Sequence, residues 1–169
     1  MIETKRLIIK PLSGSELMKL TKFPNELAED LGLTPSASLV EKEVQEAILN
    51  DLLPNLSDLK KDYLFYTMWI VVEKSKKAII GGICFHGEPD ENGEVEIGYG
   101  TDDGYRNGGY MTETISGLVQ WAAANKKIQI IKAETYKTNT PSIRVLEKNN
   151  FEIAGQNDTS VIMKLKIKN

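Results

Sequence analysis

The residues at positions 106–111, Arg-Asn-Gly-Gly-Tyr-Met, have the types and spacing of an anion-binding loop. They stand between an alternating strand pattern and a helical pattern. The loop should therefore open a helix, whose first N–H groups are free and whose dipole is positive at that end. The two glycines let the backbone approach a bulky anion, and the Arg106 guanidinium adds charged donors. A phosphate or pyrophosphate is the natural ligand of such a loop.

The loop differs from the two best-known phosphate-binding patterns. It matches neither the P-loop nor the dinucleotide-binding glycine pattern. A glycine-rich turn that only begins a helix explains the same six residues equally well. The choice between these readings depends on the elements around the loop.

Those elements form a strand–helix–strand run over residues 94–135. Residues 94–99 alternate strictly: Val95, Ile97 and Tyr99 face one side of a strand, and Glu94, Glu96 and Gly98 face the other. In the helix that follows the loop, the apolar residues of one face are Ile115, Leu118, Val119 and Ala122. Ile128 to Thr135 is the second strand, and the connection between the two strands should be a right-handed crossover.

The rest of the chain alternates between helical and extended patterns. Helical spacing covers residues 13–60 and is interrupted by Pro24, Pro35 and Pro54. A short helix begins at Thr140, the predicted N-cap, with Pro141 in its first turn. Further strands are predicted at 6–11, 65–72, 78–86, 151–155 and 161–167. The resulting order, β-α-α-β-β-β-α-β-α-β-β, predicts an α/β (α+β) layer architecture.

The composition of the chain argues against several classes of protein and of binding site. With 169 residues, a net charge of −3 and a pI of about 5.3, the chain predicts one domain over 1–169 and argues against nucleic-acid binding. The single His86 and the single Cys84 argue against a multi-histidine metal site and against an intrachain disulfide. No apolar run approaches the roughly 20 residues of a membrane span, and the N-terminus lacks a signal-peptide pattern. We therefore expect a cytoplasmic protein without a metal or a membrane anchor.

Two segments around the loop resemble the GNAT acyltransferases, and most closely their Rim-type subgroup, named for N-terminal acetylation of ribosomal proteins. Residues 95–99 followed by residues 105–113 are similar to the family's coenzyme A motif. Arg106 and Gly109 fit that motif, whereas Met111 stands where glycine or alanine is usual. Even if its larger side chain crowds the loop, the helix start should keep its geometry.

Two more segments extend the resemblance over nearly the whole chain. Residues 4–12 are similar to the opening strand of the subgroup, and residues 139–151 resemble its segment around a short helix. Asn150 stands where that segment usually has glycine. Because asparagine tolerates the left-handed conformation, Asn150 should still end the helix.

The resemblance implies a GNAT fold: a single mixed, largely antiparallel twisted sheet of about seven strands with a central splayed parallel pair, flanked by about four helices. The splayed strands would be 94–101 and 128–135. The pantetheine arm of acetyl-coenzyme A would lie in the gap, with the thioester at its inner end. The resemblance places the cofactor on Tyr99, Gly100, Thr101, Arg106, Asn107, Gly108, Gly109, Tyr110, Met111, Thr112, Asn139 and Ser142.

It also implies that an amine attacks the thioester directly in a ternary complex. The attacking ammonium must first lose a proton, and Glu96 is the candidate base, with Glu94 or water as alternatives. A solvated or salt-bridged strand residue is the non-catalytic reading of Glu96. The family's usual tyrosine position on the short helix holds Leu146, so Ser142 is the candidate partner of the leaving sulfur and Tyr136 a weaker acid candidate.

The expected function is N-acetyl transfer from acetyl-coenzyme A to a protein N-terminus or a small-molecule amine, by a monomer or a homodimer. A non-catalytic acyl-coenzyme A binding or sensing domain would keep the loop and need no base. A general nucleotide binder is a third candidate. Residues 13–62 should form much of the acceptor wall, and their sequence names no acceptor.

Overall fold

One eight-stranded sheet runs through the part of the chain that the computed structural model describes, residues 1–35 and 42–167. Its spatial order is β1-β2-β3-β4-β5-β6-β8-β7. The strands are β1 (Ile2–Glu3), β2 (Leu7–Pro11), β3 (Met68–Glu73), β4 (Ala78–Phe85), β5 (Glu94–Thr101), β6 (Ile130–Tyr136), β7 (Glu152–Gln156) and β8 (Ser160–Lys166).

Five helices flank this sheet within the described residues. Lys42–Ala47, the π-helical Ile48–Leu52 and Leu53–Leu56 follow one another without a break, and we call them together α3. The other four are α1 (Gly14–Lys22), α2 (Pro24–Asp30), α4 (Tyr110–Ala123) and α5 (Thr140–Lys148). Single 3₁₀ turns lie at Tyr63–Phe65 and Asp103–Tyr105.

The predicted mixed α/β class is confirmed, and the element counts exceed the expectation by one strand and one helix. The additional strand is β1, whose two residues are too few for a period-2 pattern. Pro54 does not end a helix as predicted, because it lies in the first turn of Leu53–Leu56, where a missing N–H is tolerated. Strand β3 starts at Met68 rather than at residue 65, since the 3₁₀ turn precedes it.

The predicted splayed parallel pair is present at the centre of the sheet. Strands β5 and β6 are parallel neighbours, and they pair only between residues 94–96 and residues 130–132. Beyond that point β5 stays paired with β4 through Thr101, and β6 stays paired with β8 through Tyr136. Each strand therefore continues in its own half of the sheet, and a gap opens between the two halves.

The two faces of the sheet are covered by different helices. Helices α4 and α5 pack on the face that carries Val95 and Ile97 of β5, as the alternating pattern predicts. Each such fully buried aliphatic side chain contributes roughly 1.5–3 kcal/mol. On the opposite face α1, α2 and α3 cover the first half of the sheet, around Ile70 and Val72.

Gly81 of β4 lies directly against the backbone of β5. A Cβ at this position would lie 2.3 Å from the Gly100 carbonyl oxygen and 3.0 Å from the Thr101 Cα. Because backbone atoms of a paired strand cannot yield easily, we expect Gly81→Ala to lower the free energy of unfolding by about 1–3 kcal/mol. Gly104→Ala is the matched control, since no atom lies within 4 Å of its Cβ position. Denaturant unfolding checks this prediction, and equal midpoints for the two variants would contradict it.

Candidate active site

Two cavities meet at the splayed strands. The smaller cavity, of about 580 Å³, lies in the gap between β5 and β6 and extends to the start of α5. The larger, of about 1010 Å³, lies under α1 and α3 against strands β3 to β5, and it reaches the loop before α4. Gly98 and Tyr99 line both cavities. A ligand in one cavity can therefore meet a ligand in the other at the middle of β5.

The backbone of β5 presents alternate residues to the gap. The N–H of His86 donates to the Glu96 carbonyl at 2.9 Å, and the N–H of Asp102 donates to the Ile80 carbonyl at 3.0 Å. By the alternation of an antiparallel ladder, Gly98 and Gly100 also bond to β4, and the polar groups of Ile97, Tyr99 and Thr101 point away from it. The Thr101 carbonyl accepts from Arg106 Nε at 3.3 Å, in line with this direction.

Of the three β5 residues proposed to touch a cofactor, Tyr99 and Thr101 thus offer main-chain groups to the gap. Gly100 contributes in another way: no atom of the described residues lies within 4 Å of its Cβ position, so its missing side chain leaves the larger cavity open. An extended ligand with amide groups would find donors and acceptors spaced two residues apart along β5.

The loop before α4 has the conformation of a helix N-terminus without a side-chain cap. Asn107 and Gly109 have φ values of 62° and 72°, and Gly109 is the N-cap of α4. Among the residues that the structure describes, no side chain caps the first turn, so its N–H groups remain available for an anion. Gly108 is needed for a different reason, because a Cβ there would lie 2.7 Å from the Tyr110 ring.

Met111 does not crowd this loop despite the size of its side chain. Its side chain is buried in the core cluster with Ile115 and Leu118. The side chain therefore points away from the loop, and the helix start keeps its geometry. Thr112 is tied to α5, because its carbonyl accepts from Asn149 Nδ2 at 3.2 Å.

Arg106 lies at the surface of the loop. Its Nη2 forms an ion pair of 2.7 Å with Asp103, and both side chains are largely exposed. Exposed ion pairs of this kind contribute little to stability. An anionic ligand can therefore replace Asp103 as the partner of the guanidinium with little loss of stability.

Glu96 is the carboxylate of β5 that stands at the gap. Its Oε2 lies 2.6 Å from Lys132 Nζ, and its Oε1 lies 3.4 Å from His86 Nδ1. The hydrogen bond to Glu96 raises the pKa of Lys132 and outweighs the opposite effect of burial. Glu96 therefore forms the salt bridge that was its non-catalytic alternative. The salt bridge does not exclude the role of a base, because the same carboxylate stands at the gap. Glu94 pairs instead with Lys164 at 2.5 Å and is not among the residues that line either cavity.

His86 extends this row of polar side chains toward the larger cavity. Its imidazole covers Gly98, where a Cβ would lie 2.8 Å from Nε2. Only glycine at position 98 lets the ring lie beside Glu96. His86 also lies on the wall of the larger cavity.

The start of α5 differs from the prediction in its cap. Asn139, not Thr140, is the N-cap, and its Oδ1 accepts from the Ser142 N–H at 3.3 Å. The capping role follows because residue 139 has non-helical backbone angles and lies three residues before Ser142. At the other end Asn150 has φ 62°, the left-handed conformation predicted for it.

A tyrosine hydroxyl lies at the start of α5 although the helix itself carries none there. The Tyr99 hydroxyl and Ser142 Oγ are 2.7 Å apart and share a hydrogen bond. Burial raises the pKa of Tyr99, against the effect of the Ser142 bond, so the phenol stays neutral and able to donate. The expected role of Tyr99 concerned only its main chain, although its alternation with Val95 and Ile97 places the side chain on the face that α5 covers. Tyr136 lines the smaller cavity, and its side chain is mostly exposed.

Two further observations concern metal binding and membrane-spanning helices. Within residues 1–35 and 42–167, no three His, Cys, Asp or Glu side chains come together as a metal-binding group. Among the described helices, none combines the length and the hydropathy needed to cross a bilayer.

Comparisons with known proteins agree with this geometry. A family model described as an acetyltransferase (GNAT) domain matches residues 6–152. The uncharacterized N-acetyltransferase YjdG of Bacillus subtilis (strain 168) is 30% identical over 153 residues, which cover 89% of each chain. The ribosomal-protein-S5-alanine acetyltransferase of Vibrio fischeri superposes with a TM-score of 0.69 at 16% identity, over 99% of this chain and 97% of that one. The ribosomal L7/L12 α-N-protein acetyltransferase RimL in complex with coenzyme A has a TM-score of 0.68 at 15% identity, over 97% and 96% of the chains.

The family model spans the loop, the splayed pair and all residues that line the larger cavity, and the Bacillus subtilis relative aligns over almost the same length. The two solved structures share the fold over nearly all of their chains. The chain therefore belongs to the GNAT family of acetyltransferases, and it is an acetyltransferase enzyme with the fold of the Rim-type members.

Proposed function

We propose that the protein transfers the acetyl group of acetyl-coenzyme A to the nitrogen of a primary amine, using residues 1–169 as one catalytic domain. The observation that supports this most is the gap between β5 and β6. Free main-chain groups of β5 lead through it from the open helix N-terminus at Gly109 to the carboxylate of Glu96. That arrangement joins an anion site, an amide-binding edge and a base in one path.

The cofactor would lie along this path. The diphosphate contacts the N–H groups of residues 107–112, and Arg106 turns from Asp103 to the phosphates. The pantetheine amides pair with the main chain of Tyr99 and Thr101, and the thioester reaches the inner end of the gap near Gly98. Asn139 contributes by capping α5 and thereby placing Ser142.

The reaction is then a direct displacement. Glu96 takes the proton of the ammonium, directly or through water, and the amine attacks the thioester carbon. A main-chain N–H of β5 in the gap stabilises the oxyanion. The C–N bond forms and the C–S bond breaks. Coenzyme A leaves as a thiolate, and the second proton of the attacking nitrogen passes to this thiolate or to water. The linked hydroxyls of Tyr99 and Ser142 offer that sulfur a hydrogen-bond donor.

Cys84 is poorly suited to carry the acetyl group as an intermediate. Burial raises the pKa of its thiol to about 11, assisted by the charge of Asp51 and opposed by the Gly98 N–H. Only roughly 1 thiol in 3,000 is then ionised near pH 7.5, and the thiolate is the nucleophilic form.

We expect Cys84→Ala to keep kcat within about twofold of the wild type, because no step passes through this thiol. Steady-state kinetics with the amine that the enzyme acetylates fastest measures kcat. Mass spectrometry of wild-type enzyme mixed with acetyl-coenzyme A should detect no acetyl group on Cys84. Loss of turnover in the variant together with an acetylated Cys84 in the wild type would replace direct attack by a two-step transfer.

The acceptor would occupy the larger cavity. Apolar side chains such as Ile48 and Met68 form its floor, and the carboxylates of Glu43 and Asp51 lie on its wall. This combination suits a cationic amine with an apolar part, whether a peptide N-terminus or a small molecule. The same chemistry is compatible with a monomer or a homodimer.

A thiol-release assay over amines and N-terminal peptides tests the proposal. We expect coenzyme A release above background with at least one acceptor class, and saturable binding of coenzyme A by calorimetry. Binding of coenzyme A without release across the whole panel would favour an acyl-coenzyme A sensor instead. Tighter binding of ATP than of coenzyme A would contradict the cofactor assignment itself.

A further inference from the structure

Arg6, which precedes β2, makes contacts with the loop before α4 from about 100 residues away in the sequence. Its Nη1 donates to the Gly108 carbonyl at 3.0 Å, and its Nε donates to Glu113 Oε2 at 2.7 Å. Its guanidinium carbon lies 4.4 Å from the centre of the Tyr110 ring. One side chain thus touches three residues of the predicted cofactor loop and helix start.

The bond to Gly108 orients a peptide group that faces the anion site. In a trans peptide the C=O and the following N–H point in opposite directions. Because the Gly108 carbonyl points to Arg6, the N–H of Gly109 points away from it, toward the open side of the loop. A peptide between two glycines turns over more easily than any other. Arg6 therefore selects the orientation that offers a donor to a phosphate.

The bond between Arg6 and Glu113 neutralises a negative charge in the first turn of α4. Glu113 lies in the first turn of α4, where an unpaired carboxylate would repel a diphosphate. Burial raises the pKa of Glu113, but the hydrogen bonds from Thr4 and Arg6 outweigh it and hold the pKa below the usual range. The carboxylate is thus ionised, accepts from Thr4 Oγ1 and from the Arg6 N–H and Nε, and is neutralised by the guanidinium.

We propose that Arg6 is a positioning residue of the coenzyme A site, which holds the Gly108 peptide and the Glu113 carboxylate so that α4 presents only donors and positive potential to the diphosphate. This inference rests on the proposed use of coenzyme A. Arginine is required rather than lysine, because a planar guanidinium can donate to a carbonyl and a carboxylate at once while stacking on a ring. A lysine ammonium at this position would restore the charge and not the geometry.

Calorimetry with coenzyme A and with pantetheine, which lacks the phosphates, tests the role of Arg6. We expect Arg6→Gln to weaken coenzyme A binding at least tenfold and to leave pantetheine binding within twofold. Arg6→Lys should recover less than half of the lost coenzyme A affinity, with affinities compared on a logarithmic scale. Lys5→Gln is the matched control, since it removes one positive charge from the adjacent, exposed residue; it should bind coenzyme A within twofold of the wild type.

The steady-state constants give a second readout. Arg6→Gln should raise the KM for acetyl-coenzyme A and leave kcat within twofold, because the chemistry near Glu96 is untouched. Equal weakening of coenzyme A and pantetheine would mean a general structural role and would overturn the proposal. So would wild-type coenzyme A affinity in Arg6→Gln, or full recovery in Arg6→Lys. If the wild type itself fails to bind coenzyme A, the proposed function fails first, which separates the two outcomes.

Discussion

Glu96→Gln should lower kcat by a factor of about 10²–10⁴ and leave the affinity for coenzyme A within twofold. Glutamine keeps the size of the side chain and a hydrogen-bond acceptor for Lys132, but it cannot accept a proton at neutral pH. The fold and the cofactor path should therefore survive. The loss should appear only in the proton-transfer step, and single-turnover kinetics with a saturating amine would measure it.

Glu94→Gln is the matched control for this variant. Glu94 lies on the same strand and the same face, and it has a comparable lysine partner in Lys164, yet it is away from both cavities. Its turnover should stay within about threefold of the wild type. Equal turnover of Glu96→Gln and the wild type would exclude Glu96 as the base. A large loss only in Glu94→Gln would transfer the role to Glu94.

Gly109→Asp should weaken coenzyme A binding by a factor of 100 or more. A carboxylate at this position would lie beside the proposed diphosphate site, and two unit charges about 5 Å apart repel by about 3 kcal/mol at an effective dielectric constant of 20. The nearest atom to the Gly109 Cβ position is Arg6 Nη2 at 3.7 Å, so the new side chain has room. The loss should therefore come from charge and not from steric disruption.

Gly109→Asn separates this charge from the backbone conformation. Asparagine has nearly the shape of aspartate, and both tolerate the left-handed conformation that φ 72° requires. We expect Gly109→Asn to lose less than tenfold in affinity, with calorimetry and thermal unfolding measured on both variants. Equal affinities for the two variants would mean that the diphosphate does not lie at Gly109.

Much of the site was predictable because its main parts are contiguous in sequence. The loop at 106–111 and the alternating strand before it are local patterns, and the physical rules for helix starts and strands apply to them without knowledge of the fold. Asn150 is a similar case, since its conformation depends on the end of its own helix. The resemblance to the GNAT family then supplied the splayed strands, which no local pattern predicts.

The contacts that complete the site join distant residues, and local patterns carry no information about them. Tyr99 and Ser142 are 43 positions apart, and Arg6 and Glu113 are 107 apart. Met111 illustrates the same limit for one side chain. Its type suggested crowding of the loop, whereas the packing of α4 on the sheet turns it into the core.

Local patterns in the sequence are enough to predict the strand, the loop and the helix start, because hydrogen bonding and side-chain period act over a few residues. The same patterns predict that Glu96 points to the face opposite Val95 and Ile97. Other contacts become visible only in the folded chain: Lys132 and His86 flank Glu96, Tyr99 reaches Ser142, and Arg6 contacts the loop. The reason is that strand order and register bring these residues together, and long-range packing of the whole chain selects both.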